Sequence, residues 1–212
     1  MPRSLLLMAS LASLAVATAL GITGCSAIHS APLPSSSVRL SPNPPEIYVA
    51  PFDTEKAKWL VDREGVDFVD FKKQFQTYFQ QKLIRHLTRI APTEPRWLDD
   101  LPDHGWLVGG EFTTVYQGSR FLRSAIGLGM GETTLQANVY VYDLDVSKTQ
   151  YVLAFRTGVP DRNNDTGAGS GSMPSGLTTG EPVTTGFGIG SGLKEDSDRT
   201  AVEITRVLSQ YE

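Results

Sequence analysis

The longest regular run of apolar positions lies between residues 67 and 90, where Phe68, Phe71, Phe75, Tyr78, Phe79, Leu83, Leu87 and Ile90 recur at steps of three and four. That spacing draws one apolar stripe along a helix, and Pro92 stops it. A stripe this rich in aromatics belongs to a core rather than to a cofactor pocket. Ahead of it, Ile47 and Val49 share a face within residues 46–52 and Pro51 ends the run, which predicts a short strand. Behind it, residues 106–116, 133–144 and 149–159 approach the period of two that marks strands. The middle run is the clearest: Leu135, Ala137, Val139 and Val141 point one way, and Thr134, Gln136, Asn138, Tyr140 and Tyr142 the other. The polar step at 145–148 predicts a hairpin turn. Near the C-terminus Ser197 is placed to cap a helix whose Ala201, Ile204, Leu208 and Tyr211 fall on one stripe.

These elements predict a single α+β domain over residues 46–212, with a small mixed or antiparallel sheet of about four strands. Two helices pack on its apolar face, and the opposite face stays polar and carries tyrosines. Two glycine-rich stretches interrupt the pattern. Gly127-x-Gly129-x-Gly131 lacks the spacing of a dinucleotide loop, and a strand rather than a helix follows it, so the glycines read as a backbone kink. Residues 160–192 hold 9 Gly and read as a long, partly disordered loop. Within it Asp161, Asn163 and Asp165 have the alternate spacing that opens a calcium loop. Thr166 then stands where the turn needs Gly, and Ser172 where a bidentate Glu belongs, which leaves a plain polar turn.

Composition narrows the chemistry. The chain has 20 Gly, 13 Pro and 40% hydrophobic residues, a modest core surrounded by irregular segments. Beyond residue 24 it carries 18 Lys and Arg against 23 Asp and Glu, a formal charge of −5 with the basic residues dispersed, which excludes a nucleic-acid partner. No nucleophile elbow or H-E-x-x-H motif is present. His29 stands alone in a Ser/Pro-rich stretch, His86 lies off the apolar stripe, and His104 sits in a turn beside Asp99, Asp100 and Asp103. None of these makes a catalytic or metal set, so neither an enzyme nor a cofactor is expected. Arg120 and Arg123 are candidate binding residues as an anion site, and Tyr140 and Tyr142 as part of the polar sheet face.

The N-terminus changes the setting. Arg3 precedes an uncharged, Leu- and Ala-rich run over residues 5–20, the order of a secretory signal. The run closes on Ile22-Thr23-Gly24-Cys25, which resembles the bacterial lipobox, and Cys25 is the only cysteine in the chain. The resemblance implies cleavage before Cys25 and lipidation of its thiol, an anchor strong enough to hold the protein on a membrane without a spanning helix. Ser26 follows where an Asp commonly signals inner-membrane retention, which by resemblance to sorted lipoproteins implies the outer membrane, facing the periplasm. Residues 26–45 contain Ser or Pro at 11 of 20 positions and are expected to form a disordered tether reaching up to about 60 Å.

Gly110-Glu111-Phe112, Gly118-Ser119-Arg120, Arg123 and the glycine string leading into Thr134-Leu135 and the strand to Asp143 resemble the domain of unknown function 4410 family. That resemblance implies a bacterial lipoprotein fold with no assigned reaction. In element order the chain is similar to the periplasmic modules of curli-secretion-type and penicillin-binding-protein-activator lipoproteins. The expected role is therefore a membrane-anchored, non-catalytic interaction module that docks on an envelope protein. A homo-oligomeric secretion or pore-type assembly is the runner-up, and an enzyme of unrecognised class the third reading.

Overall fold

The computed structural model describes residues 28–35, 39–118, 133–159 and 188–211. Its strands are β1 (His29–Pro32), β2 (Ile47–Val49), β3 (Lys58–Leu60), β4 (Thr93–Pro95), β5 (Trp106–Tyr116), β6 (Thr134–Asp143) and β7 (Leu153–Val159). Helix α1 (Gly65–Leu87) joins β3 to β4, and α2 (Ser191–Leu208) closes the fold with a 3-10 turn at Ser209–Tyr211. One mixed sheet runs in the order β1-β7-β6-β5-β2-β4. The β5–β6–β7 meander and β1 are antiparallel, whereas β2 and β3 lie end to end, both parallel to β5.

The α+β class holds, with two helices on the mixed sheet. The strand count does not: the described residues form seven strands rather than about four. The three unforeseen strands among the described residues, β1, β3 and β4, have four residues or fewer, too short to display a period of two. β1 and β4 are the two edges of the sheet, and each ends on a proline. An edge strand is where a proline's missing N–H costs least.

β1 also corrects the expectation of a disordered tether. His29 pairs with Val159 and Pro32 with Phe155, so this stretch caps the open side of β7. Ser35 Oγ accepts from the Ala154 N–H at 2.9 Å. Further on, Leu40 is buried, the Ser41 N–H donates to Asp143 Oδ2 at 2.7 Å, and the Trp106 indole donates to the Ser41 carbonyl at 3.1 Å. Backbone pairing orders the chain here without the apolar pattern that a buried element needs.

The core lies between the helices and one sheet face. On α1 the buried positions Phe71, Phe75, Phe79, Leu83 and Leu87 recur at steps of four. Phe79 meets Phe52 edge-on at 4.9 Å and Phe112 at 5.1 Å. Gly110 makes room for this cluster, because a β-carbon there would stand 2.6 Å from the Phe52 ring and 2.2 Å from the Asn138 carbonyl. From α2 come Leu193, Ala201, Ile204 and Leu208, and from β6 Leu135, Ala137, Val139 and Val141, the face that its alternation foretold.

Two boundaries differ from the sequence reading. Ser197 is interior to α2, which begins six residues earlier, and its hydroxyl donates back to the Leu193 carbonyl at 2.6 Å instead of capping. β7 begins at Leu153, because Ser147 Oγ takes the N–H groups of Thr149 and Gln150 and holds them in the turn. Of the glycine-rich stretch at 160–192, residues 160–187 lie outside the described residues, and its last two open α2.

Candidate functional site

The sheet face turned away from the helices is built by β5, β6 and β7 in register. One row aligns Glu111, Asn138 and Arg156; the next aligns Gly109, Tyr140 and Ala154; a third pairs Leu107 with Tyr142. Period two sends these side chains outward while their neighbours fill the core. The first row is chained by hydrogen bonds. Arg156 Nε donates to Asn138 Oδ1 at 3.0 Å, Asn138 Nδ2 donates to Glu111 Oε1 at 2.9 Å, and the Tyr140 hydroxyl donates to the same oxygen at 2.9 Å. The residues that flank Tyr140 in register, Gly109 and Ala154, are both small. Burial raises the Tyr140 hydroxyl above its usual pKa, and its bond to the Glu111 carboxylate adds to the rise.

Tyr151 completes an aromatic trio. Its ring centroid is 5.1 Å from that of Tyr140 and 6.3 Å, perpendicular, from that of Tyr142. The Tyr142 hydroxyl is raised chiefly by burial and secondarily by Tyr151. Tyr151 is 36% exposed and Arg156 is exposed, and the terminal guanidinium nitrogens of Arg156 take no other bond among the described residues. The face thus offers aromatic surface and a free cationic fork above a hydrogen-bonded floor.

Toward the β2 side the face closes. Tyr48, Ala50, Leu107 and Leu144 form a small second core, on which Leu101 and Tyr142 pack. The Tyr48 hydroxyl donates to Glu46 Oε2 at 2.7 Å, the Arg96 guanidinium lies 5.2 Å from its ring centre, and burial, with help from Glu46, pushes its pKa up to about 12. Trp97 and Leu98, which follow β4 and Arg96 in the chain, stay largely exposed.

Tyr140 and Tyr142 therefore come together as the alternation of β6 foretold, whereas Cys25, Arg120 and Arg123 lie outside the described residues. Sequence reasoning missed Glu111, Tyr151 and Arg156. The period of two in β5 would have put Glu111 on the polar face, but only the pairing register puts it in one row with Arg156. His86 and His104 each meet an aspartate. His86 is buried where α1 meets α2, its Nε2 3.1 Å from Asp198 Oδ1, with Lys82 3.2 Å from the same oxygen. His104 Nδ1 lies 2.5 Å from Asp145 Oδ1 at the turn after β6. A cleft of about 290 Å³ beside His86 is lined by Arg89, Ile90, Val202, Thr205 and Arg206, and the Arg206 fork is already held by Glu203 at 2.7 and 2.8 Å.

No curated protein matches the chain. Among solved structures, the PelC dodecamer from Paraburkholderia phytofirmans is similar over 84% of this chain and 92% of its own, at 12% identity and a TM-score of 0.42. A single-substitution variant of that dodecamer aligns over 87% of this chain and 98% of its own, with the same identity and TM-score. The family described as Domain of unknown function (DUF4410) matches residues 47–186, from β2 through the whole β5–β7 face, and the chain belongs to that family.

Proposed function

We propose that this protein is a lipid-anchored component of the bacterial envelope, held by Cys25 in the outer membrane and facing the periplasm. Its domain is a non-catalytic module that binds an envelope protein through the tyrosine-bearing sheet face. The anchor rests on Ile22-Thr23-Gly24-Cys25 behind an uncharged run, and the compartment on Ser26. The observation that carries the binding role is the make-up of the face: Tyr140, Tyr142 and Tyr151 packed together beside Arg156, whose outer nitrogens are unengaged among the described residues. Tyrosine and arginine are the residues that concentrate binding energy at protein interfaces. The Glu111–Asn138 floor holds them in place before a partner arrives, which lowers the entropic cost of association.

A photo-crosslinking amino acid at position 151, with a control at Val202 on the helix side, tests this in intact cells. Both positions are exposed, so neither substitution disturbs the core. A discrete adduct with another envelope protein from position 151 alone is the expected result, and Arg156→Glu should reduce its yield. Equal adducts from both positions, or adducts only with copies of this chain, would overturn the docking role of the face.

A further inference from the structure

We infer that the domain stands upright on the bilayer, with the end of the sheet where β1 begins turned toward the lipid, and that the short link from Cys25 enforces this orientation. The inference rests on the lipidation of Cys25 proposed above. β1 starts at His29, only four residues after Cys25. Four residues span at most about 14 Å, so the entry point of the chain cannot lift far from the lipid headgroups. The roughly 60 Å reach expected of a free tether is cut short among the described residues, because residues 29–32 pair with β7 and Leu40 packs in the core.

Register fixes which end is held. His29 pairs with Val159 at the end of β7, and at the same end β5 finishes and β6 begins, with Tyr116 opposite Thr134. β3 finishes there too, its Leu60 opposite Tyr116. The first turn of α2 joins them, since Gly192 abuts the Thr133 side chain and Thr133 Oγ1 donates to Asp196 at 2.6 Å. Arg63 ties the start of α1 to the start of α2 through the Gly188 carbonyl at 2.7 Å. The opposite end carries the Trp106–Asp143 pair, the His104–Asp145 contact and the turn at Val146. With β5 eleven residues long, the two ends stand about 34 Å apart.

The surface chemistry accepts this orientation. The anchored end exposes Leu60 at 44%, Val66 at 76% and Val69 at 45%, apolar groups that can lie against headgroups. Asp62, Glu64 and Asp67 stand among them with Lys58 and Arg63, so no net basic patch draws this end to anionic lipid. The far end exposes Asp99, Asp100, Asp103 and Asp145 and gains nothing from the bilayer. The connection, rather than charge, sets the pose, which leaves the tyrosine face looking sideways along the membrane toward any neighbour.

The test uses the lipidated full-length protein in phosphatidylcholine vesicles that contain a headgroup-linked quencher. A fluorophore is placed through Val66→Cys in one sample and Val146→Cys in another, both exposed positions. The expected result is loss of fluorescence at residue 66 and none at residue 146, unchanged by added salt. Equal loss at both residues, or loss at residue 146 alone, overturns the orientation while leaving the anchor intact. A protein that fails to partition into the vesicles removes the anchor itself. Inserting a 20-residue Gly/Ser linker after Cys25 should abolish the difference, and a difference that survives the insertion overturns the short link as its cause.

Discussion

Among single residues, one tightly constrained position beside the core is a glycine. Gly110 faces the Phe52 ring and the Asn138 carbonyl at distances no β-carbon tolerates. Gly110→Ala should therefore destabilise the domain by about 1–3 kcal/mol, the cost of overpacking, seen as a lower urea midpoint. Asp198 provides a second test. His86, first, and then Lys82 hold its carboxyl below the usual carboxylate range, although burial opposes them. A depressed folded pKa contributes stability above the unfolded value near 3.9 and loses it as pH falls through the folded value. Asp198→Asn should thus cost up to about 1 kcal/mol at neutral pH, discounted for its exposure, and nothing well below the carboxylate range. Urea titrations at the two pH values check the sign; a cost that persists in acid would show that shape, not charge, is at work. Tyr140 and Tyr142 were legible because a strand's own alternation places them. Arg156 and Tyr151 were not, since they reach the site only through pairing between strands, which no single segment encodes.

At the scale of elements, the long and periodic ones were readable and the short ones were not. The stripe of α1 and the alternation of β6 each repeat often enough to rise above chance composition. β1, β3 and β4 bind by their backbones, and their side chains carry little record of it. The Ser/Pro-rich stretch is the sharpest instance: its composition argues against a buried element, yet an edge strand needs only free N–H and C=O groups beside it. Deleting His29–Pro32 while keeping Cys25 should expose β7 as a bare edge. The expected outcome is earlier exchange of the β7 amides and association detectable by light scattering, with the α1 amides much less affected. Unchanged protection of β7 would mean that β1 adds nothing to the sheet.

At the level of the whole molecule, the fold puts its packed core, with both helices, and its polar, tyrosine-bearing array on opposite faces of the sheet. The class of the fold and its polar face followed from patterning alone, because a half-buried sheet must alternate. Topology and strand count did not, because they depend on which segments pair. The role proposed for this domain depends on its being held at a membrane surface through Cys25. The most direct test is the mass of the N-terminal peptide of the mature protein purified from membranes. The expected result is a chain that begins at Cys25 with a diacylglyceryl group on sulfur, and loss of that modification in Cys25→Ser. An unmodified Cys25 inside a longer, uncleaved chain would contradict it.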